Sequence, residues 1–217
     1  MELADGNLAD ELATTGPMSN ESAKRCFGQM VYAVDFLHKL GIAHRDIKLE
    51  NFLVFRPPSD PQTTVQTLSS LTKPLVKLTD FGLSGIHFKD SSGYIHTTKV
   101  GGTSYYKSPE ILKIEIGFSS EKIDNFKVDI WALGVCLFPL LTNTFPFIDF
   151  FDKQSVIISQ ENKSFGYPNQ NRINLKARDL IARLLEPNVH IRPYIYNGVR
   201  NHQWLQGEIS LTITATN

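Results

Sequence analysis

The stretch His44-Arg45-Asp46-Ile47-Lys48-Leu49-Glu50-Asn51 decides how this 217-residue chain is read. It places an aspartate, a lysine two residues later and an asparagine three beyond that in one short segment. A carboxylate accepts the proton of an attacking hydroxyl, an ammonium offsets charge on a moving phosphoryl group, and an amide oxygen ligates Mg²⁺. Such close spacing fits a single reaction centre. Upstream, Phe27, Met30, Val31, Val34 and Leu37 recur at three- and four-residue steps, predicting a helix from Ser19 to Lys39 that stops at Gly41 and delivers the chain into this segment. Downstream, Phe52-Leu53-Val54-Phe55 and Leu75-Val76-Lys77-Leu78 read as two short strands. The Pro-, Ser-, Thr- and Gln-rich residues between them predict a surface loop.

Further along, Asp80-Phe81-Gly82 follows a predicted strand, a setting that holds a carboxylate rigidly while the glycine lets the chain turn. Residues 80–110 then carry five glycines and little periodicity, the composition of a loop that rearranges. Helical patterns return around Val128 to Leu141, Asp152 to Gln160, Leu175 to Leu185 and Tyr196 to Leu205, so the second half is mostly helix. Trp131, Phe138 and Trp204 fall at core positions. The 22 basic and 22 acidic side chains cancel, leaving no overall field for nucleic acid or anionic lipid. Cys26 and Cys136 lie in apolar helical patterns and read as buried free thiols, which favours a reducing, intracellular and cytoplasmic setting. The opening residues lack a signal peptide's basic start and apolar run. The apolar run 130–141 falls short of the ~20 residues of a membrane span and reads as a core helix.

The order of the motifs is specific: HRDIKLEN, then DFG, then Gly102-Thr103-Ser104-Tyr105-Tyr106-Lys107-Ser108-Pro109-Glu110, then Asp129-Ile130-Trp131-Ala132-Leu133-Gly134, then Arg192. In this order the chain resembles the eukaryotic serine/threonine protein kinases from Met1 to about Leu205. The lean is toward the calcium/calmodulin-dependent and testis-specific kinase-like groups. The resemblance implies a mainly α (α+β) fold, a helical C-terminal lobe with short β-hairpins. It implies that Asp46 is the catalytic base, that Lys48 contacts the transferred phosphate, and that Asn51 and Asp80 hold Mg²⁺ beside ATP. Thr103 would meet the substrate residue, Glu110 would pair with Arg192, Asp129 would brace the catalytic loop, and His44 would pack beneath Phe81. Arg45 would receive a phosphate from the activation loop, placed there by an upstream kinase, with Thr97 and Thr98 as acceptors; Lys99 stands where many relatives carry the phosphorylated residue. Glu50 is the candidate selector of a basic residue in protein substrates.

Residues 1–8 resemble the inter-lobe hinge, Met1 falling at the gatekeeper position. Backbone groups of Glu2 and Ala4 would meet adenine, and Asn7 or Asp10 the ribose. No glycine-rich loop, strand lysine or helix glutamate of the family is present, so the N-terminal-lobe sheet is expected to be absent and the chain to be a truncated fragment, inactive or nearly so. The expected organisation is hinge and C-terminal lobe over 1–205, an insertion at 56–74, an activation segment at 80–110 and a tail at 206–217. Two other readings stand beside the enzyme: a non-catalytic kinase-like lobe that binds protein partners, and a small-molecule kinase, which the segment from Gly102 to Glu110 disfavours.

Overall fold

A computed structural model of the protein describes residues 2–56, 74–86, 101–148, 152–168 and 172–206. Within them the chain runs β1 (Gly6–Asn7), α1 (Leu8–Thr15), α2 (Asn20–Lys39), β2 (Ile42–Ala43), β3 (Phe52–Phe55), β4 (Leu75–Leu78), β5 (Gly85–Ile86), α3 (Pro109–Glu115), α4 (Asn125–Thr142), α5 (Lys153–Glu161) and α6 (Leu175–Leu184). The fold is mostly helical with two small antiparallel sheets, ordered β1-β3-β4 and β2-β5. The predicted helix and both predicted strands form where the periodicity places them. Ser19 caps α2 by accepting a hydrogen bond from the Ser22 amide at 3.1 Å. Gly41, at φ 75°, ends it in a backbone conformation that side chains with a Cβ avoid.

Two helices were not foreseen. Asn7 begins α1 by accepting from the Asp10 amide, a cap whose signal lay in a segment read as hinge. Pro109 opens the seven-residue α3, where a fixed φ suits the first turn. The helix expected over Tyr196 to Leu205 is instead a wide π-type turn at Ile195–Val199, with Trp204 and Leu205 buried beyond it. Its i→i+5 bonds, Val199 N–H to the Tyr194 carbonyl and Arg200 N–H to the Ile195 carbonyl, open the turn enough for Gly198 to lie against Pro193.

The core is built around α4. Its window is apolar enough by length and composition to cross a membrane, with mean hydropathy 1.3, yet 89% of it is packed inside the domain. Ile130, Trp131, Leu133, Val135, Cys136, Leu137 and Leu140 are fully buried there. Trp131 stacks on Phe147 at 5.7 Å, and Phe138 on Tyr167 at 5.3 Å. Burial pushes the Cys26 thiol up to about 12 and the Cys136 thiol well above its ordinary value, so both are inert thiols packed as small apolar groups. Helices α2 and α6 pack on α4, and β3-β4 packs on α2. Gln29 of α2 holds the sheet edge from the side: its amide nitrogen donates to the Pro74 carbonyl at 3.1 Å and its amide oxygen accepts from Val76 N–H at 2.9 Å. The segment anticipated as an insertion lies, apart from Arg56 and Pro74, outside the described residues.

Gly134 is where α4 meets the end of α6. A Cβ there would lie 2.7 Å from Leu184 Cβ and 2.9 Å from Leu185 Cδ2. Replacing Gly134 by alanine gains about 1 kcal/mol of helix propensity but overpacks a rigid contact at about 1–3 kcal/mol. Gly134→Ala is therefore expected to lower the urea midpoint; an unchanged or raised midpoint would show that the helices separate at no cost.

Candidate active site

The loop between β2 and β3 is shaped from below by one buried carboxylate. Asp129 on α4, wholly buried, accepts the His44 amide at Oδ2 and the Arg45 amide at Oδ1, both at 2.8 Å. His38 Nε2 of α2 meets the same Oδ2 at 2.9 Å. These bonds satisfy two backbone donors of a loop turned tightly enough to hold Arg45 at φ 70°, a conformation costly for any residue with a side chain. The loop therefore presents Asp46 and Lys48 on a fixed backbone.

Asp46, 8% exposed, has both oxygens engaged. Oδ1 accepts the Thr103 amide at 3.0 Å and the Thr103 hydroxyl at 2.9 Å, and Oδ2 pairs with Lys48 Nζ at 2.9 Å. Lys48 Nζ also donates to Thr103 Oγ1 at 3.1 Å, closing a three-residue ring. Burial alone would raise the Asp46 carboxyl, but the hydrogen bonds from Lys48 and Thr103 and the Lys48 charge outweigh it and hold it below the usual carboxylate range. Lys48 is raised, first by its hydrogen bond to Asp46, then by the charges of Asp46, Glu50 and Asp80. At neutral pH this is a carboxylate beside an ammonium. Gly102, at φ 93°, makes the approach of Thr103 feasible, since a Cβ there would come within 3.0 Å of the Arg45 carbonyl.

Asn51 is buried, and its amide nitrogen donates to the Asp46 carbonyl at 2.9 Å, which fixes the orientation of the amide oxygen, the acceptor end of the group. Asp80 is exposed, sits at φ 62° and accepts from Gly82 N–H at 3.3 Å. Its charge contributes to raising Lys48. Among the described residues no three His, Cys, Asp or Glu side chains cluster as a metal site. A carboxylate with an amide oxygen fits Mg²⁺, which takes few protein ligands and completes its shell with water and phosphate. His44 packs against Phe81 with ring centroids 5.2 Å apart, as expected. Its Nε2 meets the Thr79 carbonyl at 3.0 Å, and Nδ1 accepts from Asp46 N–H, so the ring is a spacer between loop and strand.

Glu110 and Arg192 form the expected pair, with bonds of 2.7 and 3.0 Å. The fully buried guanidinium also donates to the carbonyls of Glu186 and Lys127 and lies 5.0 Å from the Trp131 ring. Burial would raise the Glu110 carboxyl; Arg192 overrides that and holds it low. Glu50 is exposed and accepts from the Tyr106 hydroxyl at 3.3 Å. Tyr106, whose hydroxyl burial pushes far up, and His38 had no distinguishing signal in the sequence, because their partners Glu50 and Asp129 lie 56 and 91 residues away.

At the other edge, β1 pairs with β3 in the register Gly6 to Val54 and Asn7 to Leu53, and the Asp5 amide donates to the Val54 carbonyl. This brings Glu2, Ala4 and Asn7 to the sheet that leads out of the loop. Glu2 pairs with Lys77. Asn7 and Asp10 bond each other at 2.6 Å while capping α1. Thr97, Thr98 and Lys99 lie outside the described residues.

A family model described as "Protein kinase domain" matches residues 1–205. CBL-interacting serine/threonine-protein kinase 17 of Arabidopsis thaliana is 32% identical over 203 residues, 93% of this chain and 40% of that protein. Testis-specific serine/threonine-protein kinase 3 of Mus musculus is 34% identical over 206 residues, 94% of this chain and 66% of that protein. SNF-related serine/threonine-protein kinase of Homo sapiens is 34% identical over 209 residues, 95% of this chain and 24% of that protein. The chain thus spans from about a quarter to two thirds of the length of these relatives.

Because the folded-state pKa of Glu110 lies below its ordinary 4.5, its pair stabilises the fold above that pH, and the contribution vanishes as pH falls through the lowered value. Glu110→Gln leaves Arg192 buried without its counter-charge, at a cost of about 3–5 kcal/mol near neutrality. Denaturation across pH 2–7 should show the gap to wild type closing in acid; a gap that stays constant would rule out the charge pair as its source.

Proposed function

This chain belongs to the protein kinase family, and from that premise we propose that it carries the catalytic machinery for transferring the γ-phosphoryl group of ATP to serine or threonine hydroxyls of protein substrates. The observation that supports this most directly is the Asp46 carboxylate held between Lys48 and Thr103. A substrate hydroxyl entering beside Asp46 donates its hydrogen bond to an ionised, fixed acceptor. As the oxygen bonds to the γ-phosphorus and the bond to the β-phosphate bridging oxygen breaks, the proton passes to Asp46 and ADP leaves. Lys48 offsets the charge on the phosphoryl oxygens, and Thr103 sets the distance between substrate backbone and base. Mg²⁺, when bound by Asn51 and Asp80, supplies charge neutralisation on the phosphates. Backbone groups of Glu2 and Ala4 meet adenine, and Asn7 or Asp10 meets the ribose.

In this reading residues 1–205 form the hinge and C-terminal lobe, 56–74 an insertion, 80–110 the activation segment and 206–217 a tail. The 217 residues hold no glycine-rich phosphate loop and no strand lysine with its helix glutamate. Positioning supplies most of the rate in phosphoryl transfer, so these residues alone transfer slowly. Arg45 serves as phosphate receptor for Thr98, phosphorylated by an upstream kinase, and the setting is intracellular and cytoplasmic. A second reading, a protein-binding lobe without chemistry, draws on the exposed Phe81, Leu83 and Ile86, 50%, 42% and 62% accessible beside the cleft.

Radiolabelled phosphate transfer to a Ser/Thr peptide library separates these readings. Asp46→Asn should reduce transfer by the longest natural protein carrying this sequence by about 10²–10⁴ while leaving the melting temperature near wild type. Turnover by the isolated 217 residues equal to that of a complete kinase would refute the dependence on missing clamp elements, and transfer that survives Asp46→Asn would remove the assigned base. For Glu50, exposed at the rim, alanine should erase preference for a basic residue upstream of the acceptor in the same library. An unaltered preference would return it to a solvated surface role.

A further inference from the structure

Helix α2 buries one face and leaves the other uncovered. Tyr32, Phe36 and Leu40 stand at four-residue steps on that outer face, 36%, 58% and 57% exposed, and the Leu40 amide still donates to the Phe36 carbonyl, so the three form one stripe. Large apolar side chains in line on one helix mark a contact surface, unlike single ones scattered over a domain. At the edge of the stripe Lys39 and Arg200 share the one carboxylate of Asp35, at 2.6 and 3.3 Å, which leaves a positive charge in excess. The end of the described chain lies against the same helix. The turn at Ile195–Val199 packs on α2, Arg200 reaches it at Asp35, and the Trp204 ring lies 6.3 Å from that of Phe27. Trp204 and Leu205 are buried and Gln206 is exposed, so the chain leaves the core beside α2. Beyond that point the sequence alternates, Ile209, Leu211 and Ile213 being separated by Ser210 and Thr212 and followed by Thr214. Such a two-residue repeat puts the apolar side chains of an extended chain on one side.

From this arrangement we propose that residues 207–217 dock as an extended segment along the outer face of α2, with Ile209 on Tyr32, Leu211 on Phe36 and Ile213 on Leu40. The proposal stands apart from the kinase reading and does not depend on it. The two repeats match: alternate residues of an extended chain are about 6.6 Å apart, and residues at four-residue steps on a helix about 6 Å, so three pairs meet with about 1 Å of accumulated mismatch. Reach is sufficient as well. Gln206 to Ile209 covers about 10 Å of extended chain, while Tyr32 lies about 7.5 Å along the helix from Phe27, where Trp204 is anchored. Ser210, Thr212 and Thr214 then keep to the solvent side. Glu208, the one charged residue of the segment, supplies the negative charge that the Lys39 and Arg200 pair lacks. A second copy of the chain would instead bring the same positive excess to the contact. The covered helix is the one that carries His38, two residues beyond Phe36, to Asp129, so the segment clamps an element that braces the loop of Asp46.

The test uses the full 217-residue chain and two measurements. In the first, cysteines are introduced in pairs and mild oxidation is followed by mass spectrometry; Cys26 and Cys136 are buried and do not compete. Phe36→Cys with Leu211→Cys should close a disulfide within one chain about tenfold faster than Glu121→Cys with Leu211→Cys, because docking raises the local concentration of one thiol at the other. Equal rates for the two pairs overturn the proposal, and so does a disulfide that joins two chains, which would give the stripe to a second copy. In the second, urea unfolding compares Phe36→Ser, Leu211→Ser and the double variant. Leu211→Ser should lower the midpoint, Thr212→Ala, on the solvent side, should leave it in place, and the double variant should shift it by less than the sum of the singles, since both remove one contact. A Leu211→Ser midpoint equal to wild type, or shifts that add in full, also overturns the proposal.

Discussion

A single buried carboxylate, Asp129, holds the arrangement together. It lies on the most apolar helix of the domain, where an unpaired charge would be prohibitive, and it is tolerated because the backbone amides of His44 and Arg45 and one imidazole converge on it. The dependence is mutual. The loop requires an acceptor for two amides that its left-handed turn at Arg45 takes out of regular pairing, and the helix requires donors for its acid. Core packing of α4 thus fixes the backbone around Asp46 directly.

The same logic recurs at a second buried charge. Arg192 is wholly enclosed, and its guanidinium is distributed over the Glu110 carboxylate, two carbonyls and the face of Trp131. Charges of this kind contribute little net stability relative to an apolar filling, but they admit one geometry only. Here that geometry ties α3 to the segment that follows α6. Thr103 hangs between the two anchors: loop behind it on Asp129, helix ahead of it on Arg192. The ring it makes with Asp46 and Lys48 is held on both sides.

Much of this was legible in the sequence because the motifs carry spacing that backbone geometry demands. Asp46, Lys48 and Asn51 meet in space because they are close in the chain, and Glu110 with Arg192 was readable from motif order. Strands 52–55 and 75–78 followed from composition alone. What escaped were features whose signal is tertiary. His38 reads as one more polar residue near a helix end, and only the fold brings it to Asp129 across 91 residues. Helix α1 was hidden because its cap, Asn7, stands in a segment whose resemblance to a hinge gave it another purpose. The turn at Ile195–Val199 defeated a helix expectation because Gly198 and Pro193 needed contact that a 3.6-residue period cannot supply.

Gln29 carries a different lesson. By donating to Pro74 and accepting from Val76, it supplies the edge of β4 with the bonds a fourth strand would otherwise give. Both feet of the intervening stretch are therefore fastened, one by the β3-β4 ladder and one by a helix side chain. The two fastenings are independent of one another, so the register of the β3-β4 ladder is set without reference to the number of residues between them. Genetic insertions of reporter peptides or whole domains between these feet would be borne by the chain without strain reaching the loop that carries Asp46, which makes this the natural place for descendants of the gene to gain new sequence.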